Sequence, residues 1–271
     1  MTKLLLFAAV LSIAAACSDH RRSFSEENYP SRSITVNGQT YNFRIYVPIN
    51  RDPNVKIPVM LYLHGSNRRG DDNQSQLSDI ASAISANRER FSFVIVFPQC
   101  REGKFWAGEM NEQAFAALDR AVEEFNGDEK RLYLSGFSMG GNGTWQIGLV
   151  HPGKFAALVP VAAGIAPASK LSPEILESLP PRLRAAAISP DPHKVFAEGI
   201  GNTPVWAFHG SDDEAVPVTE SRKIVEAFKN AGNQNVNYTE FEGVGHGSVE
   251  KAFSKPELFE WLSSKHLDRN R

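Results

Sequence analysis

Cysteine is scarce in this chain: Cys17 and Cys100 are the only two among 271 residues. A disulfide framework of the kind that staples small exported domains is therefore excluded, and stability has to come from an apolar core. Charge of one sign is missing as well. The 29 Lys and Arg residues are balanced by 31 Asp and Glu, for a formal net charge of −2, with no basic stripe to bind nucleic acid. No histidine pair has metal-site spacing such as H-E-x-x-H, so no metal is predicted. Internal repeats and low-complexity tracts are absent too. The partners left by these exclusions are small molecules.

What is present begins with a leader. Lys3 supplies a positive start, residues 4–13 are apolar, and Ala14-Ala15-Ala16 offers small residues for cleavage. The apolar stretch is shorter than the roughly 20 residues of a bilayer span. Residues 1–16 are therefore read as an export signal. Cys17 directly after the small triplet resembles the acylated cysteine of a bacterial lipoprotein signal. That implies an exported protein tied to a membrane through lipid on Cys17, facing the periplasm or the cell surface. Residues 17–32 are polar without apolar period and read as a tether, and residues 33–271 as one folded domain.

Within that domain, apolar runs alternate with helical patterns. Strands are expected at 34–36, 41–47, 58–63, 93–97, 131–134, 157–161, 205–208 and 236–241. Helices are expected at 77–86, 110–125, 142–150, 219–231 and 256–266. In the second, Phe115, Leu118, Val122 and Phe125 form an apolar stripe. The expected fold is α/β: a mostly parallel, eight-stranded sheet flanked by helices, with ligands bound beyond the carboxyl ends of the strands. Residues 164–202, rich in proline, have room for a small cap of short helices but not for a lid domain.

One strand runs straight into Gly136-Phe137-Ser138-Met139-Gly140, a G-x-S-x-G turn followed by a helix. This is the arrangement of the α/β-hydrolase nucleophile elbow, and it nominates Ser138 as nucleophile. Such a serine needs a base and an orienting carboxylate, which follow it in the chain in the order acid, then histidine. The loop after the strand ending at Phe208 carries Asp212 and Asp213, of which only one can face the base. The loop after the strand ending at Phe241 carries His246 between Gly245 and Gly247, which is the expected base. His64, His209, His151 and His266 are read as supporting or capping residues. The oxyanion donors are expected to be the backbone N–H groups of Met139 and Ser66. Trp106 and Ile165 fall in loops at the same edge and are candidates to line a substrate pocket, with ordinary loop packing as the equal alternative. Cys100 is read as a buried free thiol.

These motifs, with His64-Gly65, Gly70-Asp71-Asp72-Asn73, Pro98-Gln99-Cys100, His209-Gly210 and Val216-Pro217, resemble one family. It comprises the bacterial α/β-hydrolase esterases related to feruloyl esterases and polyhydroxybutyrate depolymerases, including a subgroup labelled as peptidases. The resemblance runs from about Ser33 to Lys265. It implies that the acid is Asp213, which matches the family pattern His-Gly-x-x-Asp-x-x-Val-Pro. Asn67 and Val249 depart from the family, at positions that bear on substrate choice. The resemblance implies a serine carboxylester hydrolase without cofactor, working on small or carbohydrate-linked esters through a Ser-His-Asp triad and an acyl-enzyme. Two alternatives stand beside it. A peptidase of the same mechanism would have to protonate a poorer leaving group, and a non-catalytic binding module would be expected to lack one of the three residues.

Overall fold

The computed structural model describes residues 27–165 and 172–267. The expected signal, Cys17 and most of the expected tether lie outside the described residues. Strands β3 (Ile57–Leu63) and β4 (Val94–Pro98) are apolar at almost every position because helices cover both faces, and only Pro58 in them is not fully buried. Around them lie β1 (Ser31–Val36), β2 (Gln39–Tyr46), β5 (Gly127–Phe137), β6 (Ala157–Val161), β7 (Val205–Gly210) and β8 (Val236–Phe241). The sheet order is β1-β2-β4-β3-β5-β6-β7-β8. The pairings β1–β2 and β2–β4 are antiparallel and the rest are parallel.

The helices are α1 (Ala81–Ala86), α2 (Glu109–Glu124), α3 (Met139–Val150), α4 (Pro173–Ser178), α5 (Pro181–Ile188), α6 (Pro192–Ile200), α7 (Thr219–Asn230), α8 (Val249–Ala252) and α9 (Pro256–Ser263). Two core layers result. One joins the sheet to α2, α3, α5, α6 and α7 through residues such as Ala114, Trp145, Leu183, Phe196 and Phe228. The other joins it to α1, α8 and α9 through Ile84, Val249, Leu258 and Leu262. The segment expected to form a small cap contains α4, α5 and α6, and the buried residues of α5 and α6 belong to the first layer.

Several local expectations change: β1 begins at Ser31 and Tyr29 is buried, both inside the expected tether, and α1 begins at Ala81 rather than at 77. The buried face of α2 is Met110, Gln113, Ala114, Ala117, Leu118 and Ala121, while Phe115 and Val122 are only half-buried. Alanines let the helix approach the sheet closely, and the bulky residues fill its margins. Strand β5 is longer than 131–134 at both ends. Its first residue, Gly127, registers with Ile57, and Gly136 and Phe137 still pair with Leu63 and Val161 before the chain turns. Helix α3 begins at Met139 rather than at 142, leaving no spacer after Ser138.

Candidate active site

Ser138 is the single residue between β5 and α3, with φ 55 and ψ −115. A residue carrying a Cβ occupies this region at a cost of about 1–3 kcal/mol. The bonds around it hold the turn: Ser138 N–H donates to Val161 O at 2.9 Å, and Ser138 O accepts from Asn142 N–H at 2.9 Å. Glycine is required on either side by close backbone approach. A Cβ on Gly136 would lie 2.3 Å from Gly140 O, and one on Gly140 only 1.8 Å from Leu63 O. The elbow is thus pressed against the end of β3, and its hydroxyl is left at the carboxyl edge of the sheet.

The loops after β7 and β8 interlock beside it. Ser211 N–H donates to Phe241 O at 3.0 Å and Asp212 N–H to Val244 O at 3.0 Å. A Cβ on Gly210 would meet Val244 O at 2.1 Å, so only glycine lets the two loops close on each other. The closure sets His246 on Asp213, with Nδ1 and Oδ2 2.8 Å apart. The other ring nitrogen, Nε2, lies 2.8 Å from Ser138 Oγ. The ring of His246 also rests on Phe137, with centroids 4.9 Å apart.

Asp213 is buried, and its Oδ1 accepts from the N–H groups of Ala215 at 2.9 Å and Val216 at 2.8 Å. These two bonds fix the carboxylate so that Oδ2 faces the imidazole. Asp212 points elsewhere: it is exposed and accepts from the Ser211 hydroxyl.

His209, read from the sequence only as a supporting or capping residue, lies on the same carboxylate oxygen as His246. His209, at the end of β7, places Nε2 3.1 Å from Asp213 Oδ2 and 3.0 Å from Val216 O, while Nδ1 sits 2.7 Å from Ser221 Oγ. Val216 O can only accept, which puts the proton on Nε2 and leaves Nδ1 to accept from the Ser221 hydroxyl. Burial lowers the pKa of His209 and keeps the ring neutral. The one sequence signal was the four-residue spacing of His209 and Asp213.

The remaining candidates separate. Met139 N–H opens α3 and Ser66 N–H opens a 3₁₀ turn, Ser66–Arg68, and neither makes a hydrogen bond within the described residues. Unpaired N–H groups in a first helical turn are available to an anion. Trp106 does not line an open pocket. It is 1% exposed, and its indole Nε1 donates to His64 O at 3.0 Å. Filling the space over Gly143 is what this large ring does, since a Cβ on Gly143 would lie 2.8 Å from Trp106 Cβ. Ile165 is half-buried against the first core layer. Cys100 is free and buried, and burial pushes its thiol up to about 12.

Fold and site together define a class: an α/β-hydrolase of the serine-hydrolase type. The prolyl oligopeptidase family matches residues 104–263, more than half of the sequence, and the chain belongs to that family. It is similar to a bifunctional acetylxylan esterase/xylanase of Neocallimastix patriciarum, 35% identical over 127 residues, which is 45% of this chain and 18% of that protein. It is also similar to an uncharacterized secreted protein of Arthroderma benhamiae, 25% identical over 216 residues, 73% of this chain and 22% of that one. Among solved structures, a thermostable esterase superposes with a TM-score of 0.71 at 27% identity, covering 89% of this chain and 64% of that one. The chain thus matches about a fifth of the length of each of the two sequence relatives.

Proposed function

We propose that this protein is a serine carboxylester hydrolase acting on small or carbohydrate-linked esters, with Ser138 as nucleophile, His246 as base and Asp213 as the carboxylate that orients it. The observation that carries this reading is the unbroken relay of two 2.8 Å contacts from Asp213 Oδ2 through His246 to Ser138 Oγ. His246 Nδ1–H donates a hydrogen bond to Asp213, so Nε2 holds the lone pair that takes the serine proton. Ser138 Oγ then attacks the ester carbonyl carbon, and the developing oxyanion is met by the N–H groups of Met139 and Ser66. His246 passes its proton to the leaving alkoxide, an acyl group remains on Ser138, and a water activated by His246 releases the acid. This sequence calls on no cofactor.

A peptidase of the same mechanism is the second reading, favoured by the family to which the chain belongs. The esterase reading is supported by the esterases among its relatives. Turnover of p-nitrophenyl esters from C2 to C16, methyl ferulate and a p-nitroanilide peptide separates the two. Short-chain or feruloyl esters should be preferred, and all turnover should vanish in Ser138→Ala. Faster anilide than ester cleavage hands the case to the peptidase. Export is part of the same proposal, supported by the leader pattern and by the secreted relative. Lipid on Cys17 would make the native protein partition into detergent, and Cys17→Ser would abolish that.

A further inference from the structure

We propose that His64 is a positioning residue: it locks the plane of the Gly65–Ser66 peptide and thereby aims the Ser66 N–H at the oxyanion. The inference rests on the reading of Ser66 as an oxyanion donor and says what holds that donor in place.

His64 is fully buried at the end of β3, and both of its ring nitrogens are used by backbone groups. Nε2 lies 2.9 Å from the Cys100 N–H, and Nδ1 lies 2.7 Å from Gly65 O. An amide N–H can only donate, so Nε2 carries the lone pair and the proton sits on Nδ1, donated to the Gly65 carbonyl. That carbonyl also accepts from Arg68 N–H at 3.1 Å. At the other end of the same residue, Gly65 N–H donates to Asp79 Oδ2 at 2.8 Å, while Asp79 Oδ1 holds Arg68 Nε at 2.9 Å. Gly65 is therefore clamped at its N–H and at both lone pairs of its carbonyl.

A peptide unit is planar, and in its trans form the carbonyl and the following N–H point in opposite directions. Fixing the Gly65 carbonyl toward His64 fixes the Ser66 N–H away from it. Rotation of this peptide would replace a donor by a carbonyl oxygen, which repels an oxyanion. The imidazole is itself held, since Trp106 packs edge-on against it with centroids 5.0 Å apart and bonds its carbonyl. Burial is the largest influence on its protonation; the Gly65 hydrogen bond and Asp79 oppose it, Arg69 and Arg68 add to it, and the balance pushes His64 down to about 4. The ring stays neutral, with the tautomer that the clamp needs, throughout the range in which histidine bases work.

Two amide replacements divide the ring. In His64→Asn the amide nitrogen can occupy the Nδ1 position and still donate to Gly65 O, whereas in His64→Gln the amide oxygen can accept from Cys100 N–H but the donor to Gly65 O is lost. A third variant, Ser66→Pro, removes the proposed oxyanion donor itself, with Ser66→Ala as its side-chain control. Gly65, at φ −71 and ψ 166, already has a backbone suited to a following proline.

Kinetics of the full-length enzyme on p-nitrophenyl acetate should show kcat falling roughly 10²-fold in His64→Gln and in Ser66→Pro, with KM within about threefold, the loss typical of one oxyanion donor. His64→Asn should recover most of kcat. The double variant His64→Gln/Ser66→Pro should be no slower than Ser66→Pro alone, because both changes remove the same donor. Multiplying losses in the double variant, or unchanged kcat in His64→Gln beside a slow Ser66→Pro, would overturn the clamp alone. Unchanged kcat in Ser66→Pro would overturn the donor assignment and the clamp with it, while ester turnover surviving in Ser138→Ala would overturn the underlying function. Should His64→Gln not fold, long-range ¹⁵N–¹H NMR of the wild type decides the matter: His64 must be protonated on Nδ1, and an Nε2–H tautomer refutes the clamp.

Discussion

Two loops at the carboxyl edge of the sheet each present a histidine, and they surround it with opposite kinds of partner. In the loop after β3, His64 is fully buried and both its nitrogens are satisfied by backbone groups that can neither give up nor take a proton during reaction. In the loop after β8, the His246 side chain is 29% exposed, and its nitrogens face a carboxylate and a hydroxyl. Side-chain type is the same and so is the position just past a strand. What differs is the chemistry of the partners: a ring held by amide groups is a brace, and a ring between Asp and Ser can relay a proton. His209 lies between the two cases, buried like His64 but touching the carboxylate that serves His246.

The sharpest way to break this comparison is to remove the relay. Ser138→Ala and His246→Ala should each lower kcat by about 10⁴- to 10⁶-fold, and the double variant should be hardly worse than either, because such residues act as a unit. Steady-state kinetics on p-nitrophenyl acetate measures this. Independent, multiplying losses would place His246 outside the relay and erase its contrast with His64.

Next in size is the carboxylate. Asp213→Asn should cost about 10⁴-fold in kcat, since the amide disturbs the imidazole tautomer. Asp212→Asn should stay within about threefold, as its side chain faces solvent and Ser211. The reverse pattern would move the acid to Asp212 and leave the burial of Asp213 without a purpose.

The smallest expected effect concerns stability. Unfolded histidine takes up a proton near pH 6.5, whereas folded His64 does so only at about 4, so between these values the unfolded chain binds more protons. Stability should therefore fall as the pH is lowered from 7 to 5, by about 2 kcal/mol from His64. His209, lowered by burial in the same direction, adds to the loss. Urea midpoints at the two pH values check this, and His64→Asn should flatten the slope. An unchanged slope in that variant would mean that the buried brace carries no such penalty.

Much of this was legible along the chain. Strands β3 and β4 announce themselves because parallel strands covered on both faces must be apolar throughout, and a G-x-S-x-G turn after such a strand singles out one serine. The acid was less legible, because adjacent Asp212 and Asp213 differ only in which one folds inward. The start of β5 was hidden by its charged residues 128–131, which lie at a register shift between the Gly127–Ile57 and Leu132–Val59 pairs and stay half-buried or exposed. The inner face of α2 was hidden because alanine, not the larger apolar residues, sits closest to the sheet.

The sequence by itself determined the alternation of strand and helix, the elbow around Ser138 and the loop carrying His246, since each depends on short-range patterns of apolar, glycine and polar residues. Only the tertiary structure showed the partners of each histidine: a carboxylate and a hydroxyl for His246, backbone groups for His64, and Asp213 with Ser221 for His209. Chain order and flanking glycines set His246 apart from His64 and His209, but the partners of all three lie 1 to 108 positions away, and only folding brings them to about 3 Å.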